Sequence, residues 1–281
     1  VIRSWLRALI PTVLLIAAAA AAQDKSDLMA KVQALHWVRG PTSVPVAGNA
    51  RLAVPAGYAF LDVADTKTFV ELTHNLSDGQ EVMIAPEDLG WMAYLRFSPE
   101  GYVKDDEKID AAALLKTLRE NADASNEARR QRGWNELHVV DWAVAPAYNP
   151  QTKRLEWATL LESDGKRGTN FFTKILGRRG YMSVTLVTAP QDLSASETAL
   201  NKVLDGFQYN SGETYAEYKP GDKVAEYGLA ALVVGGVAAV ATKKGFWAVA
   251  GGFLAAAWKF IVAACVGAFA WLKSLLKKKD A

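Results

Sequence analysis

The sequence predicts an α+β fold: an antiparallel sheet packed with two main helices, followed by C-terminal transmembrane helices. Three observations predict it. Short runs of alternating apolar residues recur between turn signals, two segments carry apolar residues at helical spacing, and the most apolar residues gather at the chain ends.

The first element is the leader. Arg3 and Arg7 precede an apolar stretch from Ala8 to Ala22 that closes on Ala20-Ala21-Ala22 before Gln23. A basic start, an apolar middle and a small-residue end are the layout of a secretory signal peptide over residues 1–22. The stretch is also short of the roughly twenty residues that span a bilayer. Export of the chain beyond Ala22 is the expectation, and with no cysteine after the apolar stretch a lipoprotein anchor is not expected.

Residues 23–219 are expected to form the exported domain. Asp24–Trp37 places Leu28, Val32 and Leu35 on one side of a short helix. Thr42–Val46 and Arg51–Val54 flank Gly48-Asn49 as a hairpin, closed by Pro55-Ala56-Gly57. Glu81–Ile84 and Trp91–Phe97 are the next strands. Ile109–Arg130 is the longest helical pattern, with Leu114, Leu115, Leu118 and Ala122 on one side. Four strand segments come next, Leu137–Ala145, Arg154–Leu161, Asn170–Leu176 and Tyr181–Val187, the last two joined through Gly177-Arg178-Arg179-Gly180. Ser194 and Glu197 have the spacing of a capping box that opens a helix burying Leu200, Val203 and Leu204. Phe207–Tyr209 closes the domain as an edge strand.

The C-terminal part divides into a juxtamembrane segment at 220–226, a membrane region at 227–272 and a basic tail at 273–281. Two helices are expected in the membrane region, Tyr227–Thr242 and Phe246–Leu272, separated by Lys243-Lys244. Gly235, Gly236, Gly251 and Gly252 would let them pack closely, and Trp247, Trp258 and Trp271 suit the interface. Lys259 in the longer run is expected to face the partner helix or reach for the headgroups. A two-helix hairpin and a single span place the C-terminus on opposite sides, and the lysines do not decide between them.

Charge narrows the function. Of the 32 basic residues nine lie in the apolar ends, so residues 23–225 carry 23 basic and 28 acidic groups. A mildly acidic domain lacks the concentrated positive field of a phosphate-backbone binder, and nucleic acid is not an expected partner. The single cysteine, Cys265, lies in the apolar C-terminal run, so the exported domain has neither a disulfide nor an all-cysteine zinc site. No cofactor is expected.

Three strings carry a resemblance: GYVKDDEKIDAAALL at Gly101–Leu115, NFFTKILGRRGYMSVTLV at Asn170–Val187 and YAEYKPGDKVAEYGLAALVVGG at Tyr215–Gly236. Together they resemble the membrane-anchored bacterial proteins grouped as domain of unknown function 2167, over about Arg51 to Gly236. The resemblance implies an exported domain with a membrane anchor and brings no activity. The strand order is also similar to the sheet-and-helix sandwich of PsbP- and Mog1-type domains, a fold that by itself selects no function.

Candidate chemistry centres on Lys104 to Asp110. Asp105, Asp106 and Glu107 could ligate a hard cation such as calcium, although the alternating acids and central glycine of an EF-hand loop are missing. Carboxylates at the start of a helix also offset its unpaired amides, which is the simpler reading. His36, His74 and His138 show no metal-binding spacing. Ser98 and Ser183 lack the nucleophile-elbow pattern, so catalysis is unsupported and whether the chain is an enzyme stays open. Trp37, Trp91, Trp134, Trp142 and Trp157 are expected in the core. The candidates for interaction or coupling are Tyr102, Asn170, Arg178, Asp222, Lys223 and Glu226. Asp222 is expected to cap the first membrane helix, with Lys223 and Glu226 at headgroup level.

The reading is a bacterial inner-membrane protein whose main domain faces the periplasm or cell exterior. Its expected function is a noncatalytic binding or scaffold module, with the lipid bilayer and a protein of the cell envelope as partners. The alternative is a membrane-anchored enzyme or a divalent-metal-dependent module using Asp105, Asp106 and Glu107.

Overall fold

Residues 27–73, 79–131 and 135–235 are described by the computed structural model. Residues 1–26, His74, Trp134 and everything beyond Gly235 lie outside the described residues, and so do the expectations that fall on them, including the signal peptide and the longer apolar run with Lys259.

The chain forms two antiparallel sheets. A short helix α1 over 27–33 leads to β1 (Val38–Arg39), β2 (Thr42–Val46), β3 (Ala50–Val54) and β4 (Tyr58–Leu61), then to α2 (Val63–Leu72), β5 (Val82–Pro86) and β6 (Met92–Ser98). After α3 (Ala111–Arg130) come β7 (His138–Asn149), β8 (Arg154–Ser163), β9 (Lys166–Leu176) and β10 (Tyr181–Thr188). The last elements are α4 (Leu193–Leu204), β11 (Phe207–Tyr209) and α5 (Leu229–Val234). The large sheet has eight strands in the order β1-β4-β5-β6-β10-β9-β8-β7, and the small one has three in the order β11-β3-β2.

The predicted hairpin closes as Val46 opposite Ala50, with Ala47 and Gly48 at positive φ. Its alternation buries Val44, Val46, Leu52 and Val54 and exposes the residues between. The predicted edge strand β11 pairs with β3, Phe207 opposite Leu52, so it edges the second sheet instead of the main one. Two elements had no periodic signal. β4 is a continuous apolar run, and α2 buries only Thr66, Phe69 and Val70.

α1 stops earlier than predicted. Trp37 turns back to donate its indole N–H to the Val32 carbonyl at 2.8 Å and meets Phe69 edge-on, which takes residues 34–37 off the helix. The capping box at Ser194 and Glu197 does not form. A 3₁₀ turn, Pro190–Asp192, carries the chain into α4, and Ser196 bonds Thr188 Oγ1 at 2.8 Å on the sheet. The inward residues are as expected: Leu200, Val203 and Leu204 are buried.

Three clusters fill the layers. The first lies between the small sheet with α4 and one face of the large sheet, around Leu52, Phe171, Val184, Leu186 and Leu200. The second covers the β7–β9 end of the opposite face beneath α3 and α5, with Leu118, Leu155, Trp157, Tyr215, Leu229 and Leu232. The third lies on that same face beneath α1 and α2, around Leu61, Phe69 and Met83. Full burial of an aliphatic side chain contributes about 1.5–3 kcal/mol, so the three apolar residues that α5 buries, Leu229, Leu232 and Val233, anchor it firmly.

α5 is the beginning of the first apolar run expected in the membrane region. Its first eight residues, from Tyr227, pack on the domain, and the helix closes at Gly235 in the left-handed conformation, φ 111°. Among the described residues no helix is long and apolar enough to cross a membrane.

Candidate functional site

The segment that leaves β11 and ends in α5 is strapped across one end of the large sheet. The strap is held by the β9–β10 turn, by the loop between β6 and α3, and by the second core. The three strings singled out in the sequence meet there.

The β9–β10 turn closes with the Gly177 amide on the Gly180 carbonyl at 2.8 Å, and Gly180 lets β6 approach it closely: a Cβ there would stand 2.0 Å from the Ser98 carbonyl oxygen. Its two arginines point at the strap. Arg178 donates Nε to Asp222 Oδ2 at 2.6 Å and Nη2 to Asp222 Oδ1 at 2.8 Å, and its Nη1 reaches the Gly212 carbonyl. Both side chains are mostly shielded, 15% and 16% exposed, and a two-pronged pair fixes orientation as well as distance. Asp222 also accepts from the Lys219 amide at 2.8 Å. Arg178, and with it the Lys219 amide, holds the Asp222 carboxyl down at about 2. Arg179 pairs with the nearly buried Glu213, while Glu217 gathers the amides of Gly212 and Thr214 and the Thr214 hydroxyl.

The loop before α3 supplies backbone pairing. Tyr102 donates its amide to the Lys223 carbonyl at 2.8 Å and accepts from the Ala225 amide at 2.9 Å, a one-residue parallel bridge to Val224. Gly101, at φ +103°, lets the strap approach, since a Cβ would meet the Lys223 oxygen at 2.7 Å. The Tyr102 ring is packed against Tyr215 (4.4 Å between centroids) and Tyr218 (4.3 Å).

The acidic run before α3 is drawn to separate partners. Asp105 accepts from the Tyr148 hydroxyl at 2.7 Å and from Lys153 Nζ at 2.9 Å. Burial works to raise its carboxyl, and the bonds from Lys153 and Tyr148 outweigh that and lower it. Lys153 also lies 4.8 Å from the centroid of the Tyr215 ring. Glu107 Oε2 accepts from the Ala230 amide at 2.9 Å, so this carboxylate sits at the start of α5. Asp110 caps α3 through the Ala113 amide at 3.0 Å, and Asp106 is exposed. Among the described residues no group of three or more His, Cys, Asp or Glu is placed to hold a metal.

Of the coupling candidates, Tyr102, Arg178, Asp222 and Lys223 meet in the strap, Lys223 through its backbone. Asp222 serves the β9–β10 turn and leaves the start of α5 to Glu107. Glu226 is exposed on the approach to α5. Asn170 lies elsewhere, on β9 opposite Thr159 and Val187, buried, with no partner for its Nδ2 among the described residues. His36 bonds Asp65 at the surface, and His138 stands 3.4 Å from Glu136. Trp91 and Trp157 are core residues as expected, while Trp37 and Trp142 are half-buried. Sequence reasoning missed Glu213, Tyr215 and Glu107 as parts of one assembly. Tyr215 stands in the third string and Glu107 in the acidic run, while Glu213 lies two residues before the string and carried no signal; nothing in the sequence says which side chain meets which.

The family described as Protein of unknown function (DUF2167) matches residues 38–267. No curated protein matches the chain. Among solved structures the chain is similar to the solution structure of cyanobacterial PsbP (CyanoP) from Synechocystis sp. PCC 6803. That similarity has 11% identity and a TM-score of 0.36, and it covers 62% of this chain and 95% of that one.

Proposed function

The chain belongs to the family of proteins of unknown function DUF2167, and from that premise we propose that it is a noncatalytic envelope module that couples a folded domain to a membrane. The domain is exported, the apolar run Phe246–Leu272 holds it to the inner membrane as a transmembrane helix, and its periplasmic face binds a protein partner. Its layers form a PsbP- or Mog1-like sandwich, a reading supported by the small sheet and α4 on one face and α3 on the other.

One observation carries the coupling. The chain does not leave the domain through a loose linker: Asp222 is clasped, Val224 is bridged and α5 is buried before the apolar run continues. A rigid exit suits a protein whose orientation at a membrane matters, whereas a simple tether needs only a flexible spacer.

The test is fractionation of cells that express the full chain, followed by protease treatment of spheroplasts. Retention in the membrane pellet after an alkaline wash, with the domain digested from outside, is the expected result. Recovery in the wash, or a domain protected until the cells are lysed, overturns the reading.

A further inference from the structure

Among the described residues four large apolar side chains are exposed, and two of them, Tyr218 and Val224, lie in the strap. The half-buried Tyr102 joins them into one patch. Its ring packs on that of Tyr218, and its backbone bridges Val224 in parallel, which sends the two side chains to the same side. A single exposed apolar residue is ordinary, whereas a contiguous group marks a surface that something covers.

The turn inside this patch shows lysines to the outside. The Asp222 amide closes it on the Lys219 carbonyl at 3.0 Å, with Gly221 at φ +97°, so that Lys219 and Lys223 stand exposed at its two ends. Its one carboxylate, Asp222, is held inward by Arg178. Lys104 and Lys108 are exposed on the adjoining loop. Of the acids on these two segments, only Asp106 and Glu226 are exposed and outside the pairs and caps described above. Ammoniums beside tyrosine rings and an aliphatic side chain are the composition that rests in the headgroup layer of an anionic bilayer.

We propose that this face of the strap, Tyr218, Tyr102 and Val224 flanked by Lys219 and Lys223, lies on the headgroups of an anionic bilayer. The contact rests on the membrane anchoring proposed above and adds to it the face that the domain turns to the lipid. The anchoring run begins at Phe246, eleven residues past Gly235. Even a fully extended chain covers at most about 3.6 Å per residue, so the lipid is never more than about 40 Å of chain from Gly235. A small apolar patch with a slight excess of positive charge is too weak to hold a free protein, but that tether presents the bilayer to it at high effective concentration. A freely diffusing protein gains nothing from the same tether.

The test sets the full chain, carrying Cys265→Ala, in lipid nanodiscs with a nitroxide on Val224→Cys or on Lys166→Cys. Lys166 opens β9 at the end of the sheet away from the strap, about 33 Å along the strand from Leu176. Power saturation compares collisions with oxygen, which concentrates in lipid, and with a nickel chelate confined to water. In phosphatidylglycerol discs the label at 224 is expected to meet oxygen and escape the chelate, and the label at 166 to do the reverse. In phosphatidylcholine discs, or with Lys219→Gln/Lys223→Gln added, the label at 224 should return to water. A label at 224 as open to the chelate as the one at 166 overturns the proposal and assigns the surface to a protein, while the anchoring stands. Lipid contact indifferent to both headgroup charge and the two lysines overturns it as well. A chain that does not enter the discs removes the anchoring itself, and this contact with it.

Discussion

Arg178 and Asp222 lie 44 residues apart in the chain and meet as a two-pronged ion pair at 2.6 and 2.8 Å. One belongs to the tip of a hairpin in the large sheet and the other to the segment that leads into α5. The pair therefore connects the sheet directly to the exit of the chain.

Arg178→Lys keeps the charge and loses the fork. Amide hydrogen exchange at Lys219 and Ala225 is expected to quicken in this variant while the β8–β9 amides stay protected. Unchanged exchange at both sites would show that the strap is held by packing alone.

The acid response of this clasp has a definite sign. The Asp222 carboxyl is held at about 2 in the folded protein, below its ordinary 3.8, so its contribution to stability is complete above about pH 4 and disappears as pH falls through 2. Comparing unfolding of the unmodified protein with Asp222→Asn should give a constant difference from pH 5 to pH 7 that closes toward pH 2. A difference that persists undiminished at pH 2 contradicts the assignment.

The domain is expected to need residues past Lys219 to be stable. Leu229→Ala removes a fully buried side chain from the second core and should cost about 3 kcal/mol, a fall in Tm of roughly 6–12 °C for a domain of this size. A fragment ending at Lys219 should lose more than one ending at Gly235. Equal melting of the two fragments would mean that α5 adds nothing.

Gly228→Ala places a Cβ 2.4 Å from Glu107 Oε2 and so displaces the carboxylate from the Ala230 amide. Loss of a helix cap costs about 0.5–2 kcal/mol, and Glu107→Ala should cost a similar amount. The double variant is expected to lose little more than either single one; full additivity would show that the two do not share one contact.

Calcium titration of the unmodified protein should produce no heat, because Asp105, Asp106 and Glu107 face different partners. Heat that vanishes in Asp105→Ala/Asp106→Ala would restore the metal reading.

Alternation and helical spacing made most of the fold legible. β2, β3, β5, β6, β7 to β10, α3 and α4 each have a clear period or a turn signal at their ends, and those are the elements where local pattern and burial agree. β4 and α2 had none, since a strand buried on both faces and a helix with three buried residues leave no period to read. The division into two sheets depends on β11 choosing β3 as its neighbour, a long-range pairing that spacing does not encode. The candidate site was half legible for the same reason. Residues such as Tyr102, Arg178 and Asp222 stood out in three strings, but their meeting is a property of the folded sheet. The acidic run shows the limit most clearly: four carboxylates within six positions look like one ligand set, and the backbone turns them toward α3, α5, Lys153 and solvent.

The burial of Leu229, Leu232 and Val233 has a mechanical consequence. Tension that reaches Gly235 arrives within one helical turn at side chains wedged under α3, and from there at the sheet. Peeling α5 away would lift the hydrophobic lid of the second cluster, so a tug on the tail and the melting of that half of the molecule become one event.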